Sequence, residues 1–318
     1  MSNNERSLTY TERQLREFGE QLGAFLAVRE TSPALLRYAR EEQRAYRASV
    51  GYRASNAPLL TAPGSQTKLG KSETPTYGLM LVPERGIGKH NGRQLNLCPA
   101  ASLGCAAACL NTSGKGRLSS VQVARQHRLR FILEHPSAAA YILAAEIRAA
   151  LAKHNGRILL RLNVVSDIRW ELVALNALRR LHAMGVGLYD YSAWQPEHRA
   201  PMPFYHLTYS RKEHHSAEYV SRIVAQGDNV AVVFDTKRGE PLPDYWQGHP
   251  VIDGDKSDDR TLDPTGVIVG LRAKGEAIGT RDGFVVHVDY QDDAFGELDP
   301  DTMAPQHATR PIEWSLGL

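Results

Sequence analysis

Arg157-Ile-Leu-Leu-Arg-Leu-Asn-Val-Val-Ser-Asp167 is the stretch at which the pattern of this sequence changes. From here onward, short apolar segments alternate with segments of helical periodicity. The pattern predicts strands over residues 158–163, 186–190, 205–209, 230–234, 251–252, 267–271 and 284–288, and helices over 168–184 and 217–226. Such alternation is typical of a parallel sheet covered by helices. We therefore expect an α/β fold with a TIM-barrel-like parallel domain.

The residues before this stretch predict one more strand and several helices. Residues 76–82 are apolar enough for a first strand, and Pro136 divides a long helical segment, 119–155, in two. Leu15, Phe18, Leu22 and Leu26 recur at helical spacing. We expect three parts: a basic helical extension with a linker over residues 1–72, a barrel-like domain over 73–288, and an acidic tail over 289–318.

The composition is that of a soluble globular protein. Hydrophobic residues make up 42% and charged residues 23% of the 318 positions, and the formal net charge of +3 permits a polyanionic partner without requiring one. No run approaches about 18 apolar residues, so we expect no membrane span. The polar N-terminus lacks the apolar segment of a signal peptide, and three cysteines without a secretion signal indicate a reducing, cytoplasmic location.

All three cysteines lie in Asn96-Leu-Cys-Pro-Ala-Ala-Ser-Leu-Gly-Cys-Ala-Ala-Ala-Cys-Leu-Asn-Thr-Ser-Gly-Lys-Gly116. Thiolates are soft ligands that suit zinc or iron–sulfur clusters, so we interpret Cys98, Cys105 and Cys109 as metal ligands. A structural zinc normally has four protein ligands, which His90 or His127 could complete. The alternative is an open position for water or substrate. Cys105 and Cys109 also have the i, i+4 spacing that suits core packing on one helix face.

Polar residues follow nearly every predicted strand. Since the carboxyl ends of parallel strands meet at one edge of a sheet, we expect these residues to converge there. The candidates for catalysis are Asp167, Asp235, Asp253, Asp255 and Lys274. The candidates for substrate binding are Asn163, Ser166, Arg169, Asp190, Ser210 and Lys115. Each carboxylate also has a structural interpretation, as a helix cap or a turn residue.

A basic stripe lies near the N-terminus, on the second predicted helix. Arg37, Arg40, Arg44 and Arg47 fall within an arc of roughly 80° at helical spacing. Such a stripe suits a phosphate backbone, so these four are candidate nucleic-acid-binding residues. It is equally compatible with a solvated helix face.

Several motifs resemble a family of phage- and plasmid-borne proteins of unassigned function, over most of residues 70–288. Besides the cysteine stretch, the carriers are Arg161-Leu-Asn-Val-Val-Ser-Asp-Ile-Arg-Trp-Glu171, Tyr189-Asp-Tyr-Ser192, Tyr205-His-Leu-Thr-Tyr-Ser210, Asn229-Val-Ala-Val-Val-Phe234 and Val251-Ile-Asp-Gly-Asp255. The resemblance implies membership of that family and, for a phage-encoded protein, the host cytoplasm. It does not itself supply a reaction.

Two more distant likenesses suggest chemistry. A three-cysteine loop after the first strand of a βα barrel is similar to radical SAM enzymes, which implies a [4Fe–4S] cluster that binds S-adenosylmethionine. This chain, however, has Cys-x6-Cys-x3-Cys where those enzymes have Cys-x3-Cys-x2-Cys. The other likeness is to base-exchanging transglycosylases that place deazaguanines in tRNA or phage DNA. It implies a zinc site and strand-end aspartates acting as nucleophile and acid/base.

The main expectation is thus a metalloenzyme with a three-cysteine iron–sulfur site that acts on a nucleotide or on a base of DNA or tRNA. One alternative is a zinc-containing transglycosylase. The other is a non-catalytic nucleic-acid-binding protein, in which a metal only holds the loop and the arginine stripe does the binding. The sequence leaves the substrate, the metal and the oligomeric state open.

Overall fold

The computed structural model describes residues 7–288, apart from 54, 65–68, 70, 71, 85, 113 and 201; the predicted tail, 289–318, lies outside the described residues. The helices are α1 (Tyr10–Ala27), α2 (Pro33–Ser49), α3 (Leu103–Ala107), α4 (Ser119–Glu134), α5 (Pro136–Lys153), α6 (Trp170–Val173), α7 (Leu175–Ala183) and α8 (Ala217–Ala225). The strands are β1 (Leu60–Thr61), β2 (Thr76–Leu79), β3 (Lys89–His90), β4 (Arg93–Gln94), β5 (Ile158–Arg161), β6 (Val186–Ser192), β7 (Tyr205–Ser210), β8 (Asn229–Phe234), β9 (Tyr245–Trp246), β10 (His249–Asp253), β11 (Ile268–Arg272) and β12 (Val285–Val286).

One mostly parallel sheet forms the centre of the fold. Its strand order is β1-β2-β5-β6-β7-β8-β11-β10-β9, and β12 pairs with the end of β8. All neighbours from β2 to β10 are parallel, with Leu160 opposite Leu188 and Leu188 opposite Tyr205. The predicted α/β class with a parallel sheet is therefore confirmed.

The sheet is open, so the expected closed barrel is not formed in the described part of the chain. The short strand β1 pairs antiparallel with β2 at one end of the strand order, and β9 pairs antiparallel with β10 at the other. These two strands occupy the edges that would have to meet in a closed parallel barrel. Both belong to segments whose proline and glycine content gave no strand signal in the sequence.

The predicted helix over residues 168–184 is interrupted. It forms α6 and α7, which are separated at Ala174, where the backbone has φ −140° and ψ 39°. Helix α1 crosses this break closely, since a Cβ on Gly19 would lie 2.4 Å from the carbonyl oxygen of Val173. Glycine at this position therefore permits the contact.

The N-terminal helices pack into the same core as the sheet. The predicted apolar face of α1, Leu15, Phe18, Leu22 and Leu26, is buried, and the helix packs against α5 and α7. Thr9 caps α1 in a capping box with Glu12, which fixes where the helix begins.

An ion pair between Glu12 and Arg169 joins α1 to the loop after β5. Both side chains are almost completely buried, and Arg169 Nη2 and Nε lie 2.6 Å and 2.9 Å from the carboxylate oxygens. Arg169 also donates to the carbonyl oxygens of Ser7 and His198. This predicted substrate-binding residue therefore has its donors engaged within the fold.

Glu12→Gln is expected to lower the free energy of unfolding by about 3 kcal/mol, because it leaves the buried Arg169 guanidinium without its counter-charge. Glutamine can still accept from the Thr9 N–H in the capping box, so the change isolates the ion pair. The matched control is Glu20→Gln, which breaks the exposed Arg16–Glu20 pair of the same helix and should cost less than about 1 kcal/mol. Urea unfolding followed by circular dichroism measures both, and equal losses would contradict the prediction.

The same pair predicts a pH dependence. Burial raises the pKa of Glu12, but hydrogen bonds from Arg169 and from the Thr9 N–H, with the Arg169 charge, outweigh it and hold the pKa below 4.5. Because the folded pKa is the lower one, this stabilisation is present above the unfolded pKa and is lost as the pH falls through the folded pKa. The stability difference between wild type and Glu12→Gln should therefore be constant from about pH 6 to 8 and shrink below about pH 4. A difference that stays unchanged in acid would exclude the charge as its source.

Candidate functional site

A cavity of about 1820 Å³ opens at the carboxyl ends of the parallel strands. It brings together the cysteine stretch and residues that follow β5, β7, β8, β10 and β11, as expected for a parallel sheet. The predicted site residues that line it are Cys98, Cys105, Cys109, Lys115, Asn163, Ser166, Asp167, Ser210, Asp235, Asp253, Asp255 and Lys274. Arg169 and Asp190, also predicted, are not among its lining residues.

Hydrogen bonds hold the cysteine stretch against the edge of the sheet. The Asp167 N–H donates to the carbonyl oxygen of Leu97 over 2.8 Å, and Cys98 Sγ lies 3.8 Å from the carbonyl oxygen of Val165. Further along the stretch, Ser102 caps α3, and its hydroxyl donates a hydrogen bond to the carboxylate of Glu213, which follows β7. The stretch is thus attached to the loops after β5 and β7, the two strands on either side of β6.

The three thiols are partly buried and line the same cavity. Burial raises the pKa of Cys98 well above its ordinary value, and nearby Asp167, Cys109 and Cys105 raise it further. Burial, Cys109 and Asp167 likewise raise the pKa of Cys105 to about 12, against a lowering by Lys212. In the described residues, no group of three or more histidine, cysteine, aspartate or glutamate side chains stands in a metal-binding arrangement.

Asp167 lies near the thiols, and its carboxylate is surrounded by hydrogen-bond donors. Its carboxylate accepts hydrogen bonds from Ser192 Oγ (3.0 Å) and the Ala193 N–H (2.7 Å), and it pairs with Arg199 at 3.4 Å. Burial raises its pKa, while Arg199 and these hydrogen bonds act in the opposite direction. Asp167 is therefore not a helix cap, since the residue at the cap of α6 is Arg169.

Asp253, Asp255, Arg272 and Lys274 form a second polar cluster on the cavity wall. Arg272 Nη1 lies 2.9 Å from Asp253 and 3.5 Å from Asp255, and the Lys274 ammonium contacts Asp255. Burial raises the pKa of Asp253, but hydrogen bonds from Arg272 and from the Asp255 N–H outweigh it and leave the pKa below the ordinary value. The Asp253 carboxylate is thus held in its charged form, and the half-exposed Lys274 contacts the neighbouring Asp255.

Three further predicted residues, Asp235, Asn163 and Ser166, have clear structural contacts. Asp235 accepts from His287 Nδ1 (2.7 Å) and the Val288 N–H (3.0 Å), which ties the end of β8 to the segment after β12. The Asn163 side chain accepts hydrogen bonds from the Ile168 N–H and from Ser166 Oγ, and it donates one to the Ile168 carbonyl oxygen. Asn163 and Ser166 therefore organise the loop after β5. Their role as ligands of a substrate stays a prediction.

Asp190 lies beneath the cavity rather than in its wall. It is fully buried and accepts from the backbone N–H groups of Leu162 and Asn163 and from the Tyr205 hydroxyl, over 2.8–3.1 Å. Burial raises its pKa to about 6, against the effects of Arg161 and these hydrogen bonds. Asp190 therefore fixes the backbone at the end of β5.

Two residues near the cavity were not among the predicted site residues. Arg161 ends β5, lines the cavity and is 4% exposed. Lys212, two residues after β7, is buried, and its charge acts on Cys105 and Asp167. Both are charged residues within or just after an apolar strand, which is the signal that predicted Asp167 and Lys274.

The N-terminal arginines make contacts within the fold. Arg40 pairs with the partly buried Glu146 at 2.7 Å, Arg44 donates to Asn56, and Arg47 donates to the Arg53 carbonyl oxygen. Arg37 is exposed. Most of the stripe therefore fastens α2 and the chain that follows it, and its binding of nucleic acid stays a prediction.

The fold and site together define a mixed α/β protein with a thiol-lined cavity at the edge of a parallel sheet. A family model described as Gene product 88 matches residues 51–287, and the chain belongs to that family. The match confirms the predicted family of phage type. Comparisons with curated proteins and with solved structures gave no match. None of the helices in the described residues combines the length and hydrophobicity that a membrane span needs.

Reduced, metal-free protein is expected to react slowly with iodoacetamide at Cys98 and Cys105, because burial keeps both thiols protonated at about pH 8. Unfolding in guanidinium chloride removes the burial, so labelling should become at least ~100-fold faster. Peptide mass spectrometry measures each site separately, and the unfolded chain is the internal control. Equal rates in folded and unfolded protein would show that the thiols are not shielded.

Proposed function

We propose that the cavity is the active site of a metalloenzyme in which Cys98, Cys105 and Cys109 bind an iron–sulfur cluster. The observation that carries the proposal is that all three cysteines of the chain line the same large cavity, together with Asp167. Their mutual effect on thiol pKa supports a close grouping. The proposed substrate is a nucleotide or a base of a nucleic acid.

The donor set fits such a group in number and kind. Thiolates suit iron–sulfur clusters, and three of them leave one position open. A metal must displace the protons of the buried thiols, because the thiolate is the form that binds metal. The bound cluster, with S-adenosylmethionine at the open position, would supply one-electron chemistry.

The surrounding side chains would balance the charge of three thiolates. Lys212 carries positive charge beside Cys105, and Arg199 carries it beside Asp167. Buried charge is stable only where it is paired, so these two residues favour the loaded state. Asp167 is held rigidly by Ser192 and Ala193 and would orient a ligand group next to the thiols.

The opposite cluster would bind and orient the substrate. Asp253 and Asp255 are fixed by Arg272, and the Lys274 ammonium at Asp255 can donate a hydrogen bond to a bound polar group. A volume of about 1820 Å³ exceeds the ~1,000 Å³ upper range for a drug-sized ligand. The cavity therefore has room for a nucleotide-sized cofactor and a substrate together.

The internal contacts of the arginine stripe favour this proposal over a non-catalytic nucleic-acid-binding protein. Arg40, Arg44 and Arg47 use their donors within the fold, whereas the cavity keeps polar groups at its surface. A zinc-containing transglycosylase would use the same cavity with its aspartates as nucleophile and acid/base. Metal identity separates the two enzymes.

Protein purified without oxygen is expected to contain iron and acid-labile sulfide, with the brown colour of an iron–sulfur cluster. Cys105→Ala should lose most of both, because one of three ligands is gone. The matched control is Leu103→Ala in the same helix α3, where the leucine side chain is 89% exposed and the metal content should not change. Elemental analysis and visible absorbance measure the outcome.

Stoichiometric zinc in wild type would reject the iron–sulfur assignment and favour the transglycosylase. Absence of bound metal, or equal metal in wild type and a folded Cys105→Ala variant, would reject the thiol site altogether. Circular dichroism of each variant shows that the fold is retained.

A further inference from the structure

Arg161 differs from the other buried arginines in how its donors are satisfied. Arg169 and Arg199 are 1% and 0% exposed, and each forms several hydrogen bonds that include both oxygens of a glutamate. Arg125 and Arg260 each donate at least one hydrogen bond, although Arg125 Nε and Arg260 Nε and Nη1 have no hydrogen-bond partner within the described residues. Arg161 is 4% exposed, and in the described part of the chain its guanidinium donates none.

The surroundings of Arg161 supply charge but no well-placed acceptor. Its Nε forms an ion pair with Asp190 at 3.7 Å, which is beyond hydrogen-bond distance, and has no hydrogen-bond partner within the described residues. The Asp190 carboxylate already accepts from two backbone N–H groups and the Tyr205 hydroxyl. Asp258, another nearby acid, acts on Arg161 only through its charge and forms no ion pair with it within the described residues.

Two tyrosines flank the Arg161 guanidinium, which lines the cavity. Its central carbon lies 5.3 Å from the ring centroids of both Tyr189 and Tyr191. Arginine donates in a planar fork that matches an oxyanion, and it stacks on aromatic faces. The two tyrosine rings and the Asp190 carboxylate thus hold the guanidinium in place. Its N–H groups donate no hydrogen bond within the described residues, and the side chain borders an open cavity.

A buried guanidinium without hydrogen bonds is costly, and a group that supplies two acceptors would remove the cost. Arg161 also ends β5, at the edge of the parallel sheet where ligands of such folds bind. We propose that Arg161 is an anion-recognition residue, which binds a phosphate or carboxylate group of the ligand in the cavity.

This inference uses none of the thiols and does not depend on the proposed cluster. Metal content is measured in every sample, so that failure of anion binding in metal-loaded protein counts against Arg161 alone. Conversely, if the protein binds no iron–sulfur cluster, the anion-binding measurements still test the role of Arg161.

Isothermal titration calorimetry with inorganic phosphate and with succinate tests the proposal and distinguishes the two anion sources. At least one should bind wild type with a millimolar Kd, typical of a small ligand. Arg161→Gln should weaken that binding at least ~10-fold, because the fork and its charge are both lost. The matched control is Arg238→Gln, which removes an exposed arginine from the same cavity and should change Kd by less than about two-fold.

Arg161→Lys provides a second variant, since it keeps the charge at this buried position and removes only the fork. It should retain the fold and still lose at least ~3-fold in affinity. In wild type, the bound anion should slow hydrogen–deuterium exchange in the peptide that contains residues 158–163. No binding of either anion to wild type, wild-type affinity in a folded Arg161→Gln variant, or equal weakening in the Arg238→Gln control would each overturn the assignment.

Discussion

The parallel pairing of the strands from β2 to β10 is the constraint on which the rest of this structure depends. Parallel strands end on the same side of a sheet, so each strand delivers the residues that follow it to one edge. That edge carries Asp167 after β5, Asp235 after β8 and Lys274 after β11. The cysteine stretch, between β2 and α4, is drawn to the same edge by the hydrogen bond from the Asp167 N–H to the Leu97 carbonyl oxygen. One sheet geometry thus accounts for a cavity built from residues more than a hundred positions apart, such as Cys98 and Asp255.

The periodicity of the sequence was sufficient to predict the parallel strands, the division of the helix at Pro136 and the buried face of α1. It could not predict whether the sheet closes. Closure depends on what pairs with the outer edges, and β1 and β9 are two-residue strands in segments dominated by turn residues. Their pairing is a tertiary effect that leaves no periodic signal. The break at Ala174 arises in the same way, because it accompanies the close approach of Gly19 from a distant helix.

For the site, residue type and strand-end position predicted which side chains line the cavity better than they predicted what those side chains contact. Arg169 and Asp190 were chosen for the same reason as Asp253, yet both are buried within the fold. The difference lies in their partners: Glu12 comes from α1, and Tyr205 comes from a neighbouring strand. A polar residue at a strand end therefore either lines the cavity or is buried within the fold. A partner from another helix or strand decides which of the two occurs. No local pattern contains that information.

The buried arginines show how the two outcomes can be separated once a structure is known. Where a guanidinium meets a carboxylate fork, as Arg199 meets Glu171, the burial of its charge is compensated inside the protein. Arg161 has no such fork, and its position is fixed by two tyrosine rings and a carboxylate that is already fully engaged. Folded proteins satisfy their buried polar groups almost everywhere, and exceptions concentrate where a ligand completes the arrangement. The Arg161 guanidinium, whose Nε has no hydrogen-bond partner within the described residues, therefore supports a ligand-binding surface in the cavity by an argument that does not use the thiols.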